Sequence, residues 1–173
     1  SLTIISNTPA DIKEKYRDWK NIVFKSRVSL SELEEEFKEA ALFVLPVHTD
    51  TFGFVFLEAF ARGIPCISTR HFAVPEIITD RETGLLVECY QSYFDDRCLP
   101  RYDTPAVDDH HALIQSLRRP PKHYINCLAQ AMDCLLRDKS ARLRMGERAY
   151  QEVESGRFSI AARRKALEKI YDQ

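Results

Sequence analysis

The chain has 173 residues, enough for one compact domain with its own core; 45% are apolar and 29% charged. A net charge of −1 supplies no global field for nucleic acid or an anionic membrane, which argues against a nucleic-acid binder and leaves membrane association to parts of the protein outside this sequence. No apolar run approaches the length of a membrane span, and no basic segment followed by an apolar run opens the sequence, so no signal peptide is expected.

The first ninety residues alternate short apolar runs with helical stretches. Leu2 to Ile5 reads as a strand, Asp11 to Lys20 as a polar helix, and Asn21 to Phe24 as a second strand. Ser29 with Glu32 three residues on is a capping box, and the helix behind it takes its apolar face from Leu33, Phe37, Ala40 and Ala41. Leu42 to Leu45 is a third strand closed by Pro46. The apolar helix Gly53 to Ala61 follows, with Gly63 as its C-cap glycine, then a fourth strand, Pro65 to Ser68. A short helix opens near Pro75, and Gly84 to Val87 is a fifth strand. Strands alternating with helices predict parallel pairing through crossover helices, and strands that are continuous apolar runs suit a sheet covered on both faces. The expected fold is therefore α/β, an open doubly wound parallel sheet. Ligands of such sheets sit beyond the carboxyl ends of the strands, which points to the loops Ser26 to Ser29, Val47 to Gly53 and Thr69 to Pro75.

Residues 88–122 break the pattern, with Pro100, Pro105, Pro120 and Pro121 among Tyr90, Tyr93, Phe94 and Tyr102. They read as an insertion with a helical turn near Ala112 to Leu117. Two helices follow, His123 to Arg137 and Lys139 to Glu154, and an amphipathic helix from Ser159 to Tyr171 ends a single domain spanning 1–173. The cysteines are Cys66, Cys89, Cys98, Cys127 and Cys134. An odd number without a CxxC pair fits neither a disulfide framework nor a zinc site and points to a reducing, cytoplasmic setting.

Chemistry concentrates in Phe52 to Ala61, where one carboxylate, Glu58, lies in an almost wholly apolar helix. A buried carboxylate needs a structural partner or a ligand to face, and a helix that starts at a ligand-facing strand end favours the ligand. Gly53 lets backbone pass close to a ligand. The amides of Gly53, Phe54 and Val55 would face an anion at the positive end of the helix dipole. A carboxylate one turn deeper can accept hydrogen bonds from a vicinal diol such as ribose. Phosphate beside a diol describes a nucleotide.

These residues resemble the pattern of group 1, retaining glycosyltransferases of the GT-B fold. That pattern is a Glu, seven residues, then a Glu, with Phe-Gly after the first. It continues as Glu-Ala-x-Ala-x-Gly-x-Pro, a strand, a Gly-Gly loop, Pro-Glu, and Gly-Leu-Leu-Val. This chain has Asp50, Phe52-Gly53, Glu58-Ala59, Ala61, Gly63, Pro65, Pro75-Glu76 and Gly84-Leu-Leu-Val87, in register from about Leu2 to Val87. The C-terminal helices, with Arg144-Met-Gly-Glu147 and Phe158-Ser159, are also similar.

The resemblance implies the C-terminal, nucleotide-sugar-binding half of such an enzyme, with extra C-terminal helices. It also implies an N-terminal GT-B domain, absent here, without which this piece alone would be inactive. Glu58 would bind the ribose hydroxyls and Asp50 the hydroxyls of the donor sugar. Phe52 and the amides of Gly53, Phe54 and Val55 would hold the diphosphate or sugar, and Arg27 and Val28 would border the base. No metal or other cofactor is implied, because amides and cationic side chains meet the charge of the leaving diphosphate. Asp50 is one methylene shorter than the usual Glu. Phe72-Ala73 stands where the pattern has Gly-Gly, so His71, Phe72 and Ala73 would reshape the sugar side of the donor site. Two other readings share the fold: a phosphorylase or epimerase, and a catalytically impaired binding module.

Other residues have plainer readings beside a functional one. His48, just before Asp50, is a loop histidine or a neighbour of the sugar or phosphate. His110 and His111 with Cys89 and Cys98 have donor atoms for a metal without the spacing of a metal site. Arg118-Arg119 and Arg163-Arg164-Lys165 read as solvated surface, and Phe52, Phe54, Phe56 and Phe60 mostly as core.

Overall fold

The computed structural model describes residues 1–48, 52–90 and 118–172. The chain divides into two compact units, Ser1–Ala40 and Ala41–Gln173.

The first unit contains β1 (Leu2–Ile5), α1 (Ala10–Lys15), β2 (Ile22–Lys25) and α2 (Leu30–Glu39). β1 and β2 pair in parallel from Leu2↔Ile22 to Ile5↔Lys25. α1 is shorter than the polar stretch 11–20 predicts. It stops at Tyr16, and the chain then turns, with the Trp19 amide donating to the Tyr16 carbonyl (3.0 Å) and the Ile22 amide to the Trp19 carbonyl (3.0 Å). The Trp19 ring meets Tyr16 edge-on at 5.5 Å, which holds that turn in place of further helix. α2 begins at the expected capping box: Ser29 Oγ accepts from the Glu32 amide (3.2 Å), and Glu32 Oε2 accepts from the Ser29 amide (2.7 Å). Leu2, Ile5 and Val23 are exposed, so this sheet is less covered than a run of apolar residues suggests.

The second unit contains β3 (Phe43–Leu45), α3 (Phe54–Phe60), β4 (Cys66–Arg70), α4 (Val74–Ile77) and β5 (Gly84–Glu88). Three longer helices follow: α5 (Lys122–Arg137), α6 (Lys139–Glu154) and α7 (Ile160–Tyr171). The sheet order is β3-β4-β5, all parallel, with Phe43 and Gly84 on either side of Cys66. β4 is the core strand: Cys66, Ile67, Ser68 and Thr69 are fully buried, and burial pushes the Cys66 thiol pKa far up. It runs two residues beyond the expected Ser68, because Thr69 and Arg70 still pair with Val87 and Glu88. Within each unit the described strands pair in parallel, β1 with β2 and β3-β4-β5, as the alternating pattern predicts.

Local signals place the helix ends. Gly63, at φ +66°, closes α3: its amide donates to the Phe60 carbonyl (2.9 Å) and that of Ile64 to the Ala59 carbonyl (3.1 Å), a Schellman pair. Ser159 caps α7 by accepting from the Ala162 amide (3.1 Å). α6 meets the end of α3 where Gly146 lies against the backbone of Gly63. β5 ends at Glu88 and α5 starts at Lys122, the two residues that bound the expected insertion 88–122; its expected helical turn at Ala112 to Leu117 lies outside the described residues. No helix among the described residues is long and apolar enough to cross a membrane.

Candidate functional site

Three parallel strands in one register deliver three loops to the same edge. β3 is followed by Pro46, Val47 and His48, β4 by His71 and Phe72, and β5 by Cys89 and Tyr90. This carboxyl edge is where a parallel sheet presents a ligand site. Side chains of β4 fasten it from below. Ser68 Oγ donates to the Leu45 carbonyl (2.6 Å), and Thr69 Oγ1 donates to the Val47 carbonyl. Arg70 is committed to Asp80 (3.1 Å) and Glu88 (2.8 Å) and so belongs to the scaffold.

The β3 loop leads into α3 through Gly53, whose φ of +88° and ψ of +47° are left-handed, a conformation that glycine adopts at no steric cost. The amides of Phe54 and Val55 head the helix, where no intrahelical acceptor exists. α3 buries Phe56, Ala59 and Phe60 completely, with Phe56 meeting Phe43 edge-on at 5.9 Å. Glu58 is exposed, which corrects the expectation of a carboxylate buried in an apolar helix. The seven residues present one fully buried face, and Phe54 and Glu58, four apart, share the opposite one. Phe54 is likewise solvent-facing rather than core, 69% exposed, and tilts against the half-buried Phe52 at 5.0 Å. Asp50 lies outside the described residues.

Beside this helix the strand ends assemble a cluster that no single segment announces. The His48 imidazole meets Tyr90 edge-on (4.9 Å) and lies 5.8 Å from Tyr124 of α5, and the Tyr90 and Tyr124 rings are 4.6 Å apart. Cys89 Sγ is 3.6 Å from His48 Nδ1. Tyr124 is buried and its hydroxyl has no hydrogen-bond partner among the described residues. Burial, reinforced by Cys89 and Tyr90, pushes its pKa up to about 12. Burial lowers the pKa of His48, and the neighbouring His71 lowers it further. His71 is lowered by burial alone, and its Nε2 is buried without a partner among the described residues. These histidines favour the neutral form, in which one ring nitrogen donates and the other accepts a hydrogen bond.

His71 and Phe72 form the corner after β4. The Val74 amide donates to the His71 carbonyl (3.2 Å), closing a turn in which Phe72 has φ +50° and Ala73 φ −72°. The Phe72 ring packs 4.2 Å from the imidazole.

The other sequence candidates fall as follows. Arg27, exposed, and Val28, half-buried, occupy the loop between β2 and α2 of the first unit. Cys89 contacts His48, while His110, His111 and Cys98 lie outside the described residues; among the described residues no three metal-ligating side chains gather. Sequence reasoning missed Tyr90 and Tyr124 as site residues, and it missed Arg157, which donates to the Glu76 carbonyl (2.7 Å), the Ile77 carbonyl (3.0 Å) and Thr79 Oγ1 (3.0 Å). A basic residue just before Phe158-Ser159 was the available signal for Arg157, and the aromatic start of α5 was the signal for Tyr124.

Known proteins are similar to this chain in sequence and in fold. D-inositol 3-phosphate glycosyltransferase of Corynebacterium glutamicum is 28% identical over 142 residues, 82% of this chain and 26% of that protein. Sucrose-phosphate synthase of Thermosynechococcus elongatus superposes with a TM-score of 0.67 at 18% identity, over 99% of this chain and 38% of that one. Anabaena HepE, solved with UDP-glucose, gives 0.59 at 14% identity, over 94% of this chain and 36% of that one. The structural matches carry the expected parallel α/β fold, and the chain spans about a quarter of the length of the curated relatives it matches. The profile of the family described as "Glycosyl transferases group 1" matches residues 7–94, a stretch that takes in all three strand-end loops and α3; the chain belongs to the group 1 glycosyl transferases.

Proposed function

We propose that this chain is the donor-binding part of a longer, two-domain retaining glycosyltransferase, and that it holds a nucleotide-diphosphate sugar for transfer to an acceptor. The observation that carries this reading is the head of α3: a left-handed Gly53, two helix-start amides, and the exposed carboxylate of Glu58 one turn on. Exposure makes Glu58 reachable, whereas a buried acid would need an internal partner. The amides of Gly53, Phe54 and Val55 take the diphosphate, and Glu58 takes the ribose diol. By the family resemblance Asp50 would serve the hydroxyls of the sugar, Phe52 the diphosphate, and Arg27 and Val28 the base. His71, Phe72 and Ala73 lie on the sugar side. In this reading amides and cationic side chains meet the leaving charge without a metal. The UDP-glucose held by HepE supports a nucleotide sugar as the ligand class.

The test is calorimetry of the whole protein with UDP, GDP and ADP, comparing the parent with Glu58→Gln. A neutral amide loses the charge-assisted bonds to the diol. The preferred nucleotide should then bind about tenfold more weakly, about 1.4 kcal/mol. Glu58 is exposed, so the fold should not change. Equal affinity for both proteins would remove Glu58 from the site.

A further inference from the structure

Phe72 adopts a backbone conformation that its side chain opposes. Its φ of +50° is left-handed, costing a residue with a Cβ roughly 1–2 kcal/mol. It holds the first central position of the turn closed by His71 and Val74, where a positive φ is ordinarily supplied by glycine. Such strain persists where the surroundings over-determine it, and it concentrates at ligand clamps and active sites. This corner lies on the carboxyl edge of β4, the ligand edge of the sheet.

The neighbouring groups narrow the kind of ligand. The Phe72 ring is half-buried and lies 4.2 Å from the His71 imidazole. His71 Nε2 is buried and lacks a partner among the described residues, a condition that costs free energy unless something polar fills it. Burial holds this imidazole towards its neutral form, so it brings a hydrogen bond without a charge, which suits a hydroxyl. The one cation at the end of β4, Arg70, is already engaged by Asp80 and Glu88. An apolar ring beside a neutral hydrogen-bonding atom fits a ligand with a C–H face and hydroxyls around its rim, which is a sugar ring.

We propose that Phe72 is a specificity-determining residue for the sugar half of the donor: its ring packs against the C–H face of the sugar while the His71 imidazole bonds a sugar hydroxyl. This rests on the nucleotide-sugar reading above and deepens it by naming where selection among sugars takes place. The left-handed backbone at Phe72 is retained because it aims the ring at the sugar.

The test is Phe72→Gly in the whole protein, read by thermal melting and by calorimetry with UDP, UDP-glucose, GDP and GDP-mannose. Glycine relieves the left-handed strain, so the melting temperature should stay level or rise. Free nucleotide should bind as before, while the advantage of the sugar nucleotide over the free nucleotide of the same base should fall about tenfold. A His71→Gln variant, which keeps a hydrogen-bonding amide, should retain more of that advantage than His71→Ala. A lower melting temperature with unchanged sugar preference would make Phe72 a packing residue and overturn the proposal. So would an equal loss of free nucleotide and sugar nucleotide, which would place Phe72 at the base or phosphate. Failure of the parent protein to bind any of the four ligands would instead sink the nucleotide-sugar reading itself, and this inference with it.

Discussion

Gly146→Ala tests whether α6 positions the helix that carries Glu58. A Cβ at Gly146 would lie 2.1 Å from the Gly63 carbonyl oxygen, 3.0 Å from its carbon and 3.4 Å from Pro65 Cδ. The obstacle is backbone at the closed end of α3, so no side chain can rotate aside; the two helices must separate by more than an ångström. Overpacking of this kind costs roughly 1–3 kcal/mol, occasionally more. A 2.1 Å approach to backbone oxygen belongs at the upper end of that range, about 3 kcal/mol, and alanine returns up to about 1 kcal/mol of helix propensity over glycine, which leaves a net loss of about 2 kcal/mol. At about 2–4 °C per kcal/mol for a domain of this size, the melting temperature should fall by about 4–8 °C in a circular-dichroism melt. The contact is asymmetric. A Cβ at Gly63 would meet the Gly146 carbonyl oxygen at an ordinary 3.7 Å, and the demand there comes from its positive φ. A Gly146→Ala protein that melts at or above the parent's temperature would refute the packing argument and show that α6 approaches α3 less closely than described.

Two further changes probe the scaffold. Arg157→Lys replaces a planar fork bonded to two carbonyls and a hydroxyl with a point charge that cannot reach all three. About 1 kcal/mol of stability should be lost, with faster hydrogen exchange at the Ile78 amide, which closes α4 onto the Val74 carbonyl; unaltered exchange there would remove Arg157 as the clamp of this corner. The histidines predict an acid-side loss of stability. The folded pKa values of His48 and His71 lie below the ordinary 6.5. Their contribution is therefore complete above that value and is lost as pH falls through the lowered pKa values, because the unfolded chain takes up protons that the folded one resists. Melting temperatures followed downward from pH 7.5 should drop more steeply for the parent than for His71→Gln, and identical slopes would exclude His71 as a source.

What the sequence disclosed was mostly local. Ser29 with Glu32, Gly63 after an apolar helix and Ser159 before an amphipathic one each carry their hydrogen-bonding partner within a few residues, so these helix ends are where the pattern puts them. The parallel sense of every described strand pair followed from the crossover helices. Features that depend on distant residues were hidden. α3 is Phe-Val-Phe-Leu-Glu-Ala-Phe, and six apolar residues in seven conceal which face is covered. Only the packing of Phe56, Ala59 and Phe60 shows that Glu58 points to solvent. The His48, Cys89, Tyr90 and Tyr124 cluster draws on two strand ends and a helix, and Arg157 reaches back across 81 positions of sequence to Glu76. The left-handed backbone at Phe72 contradicts the preference of its own residue type, so no propensity argument could have placed it.

The edge of the second sheet divides chemically in a way that bears on how a donor would lie there. Its β3–α3 side presents a left-handed glycine, helix-start amides and a solvent-facing carboxylate. Its β4–β5 side presents the His71 imidazole held towards neutrality, the Phe72 ring and the buried hydroxyl of Tyr90, which the His48 imidazole meets from the β3 loop. A nucleotide sugar is itself divided, with its charge on the diphosphate and a neutral, hydroxylated ring at one end. Seating the phosphate against the imidazoles would give it uncharged partners away from the positive end of the helix, and seating the sugar against the amides would leave the negative charge without those donors. The reverse orientation meets neither cost. On the proposed reading Arg70 can be spent on Asp80 and Glu88, since a cation beside the sugar would have no charge to answer.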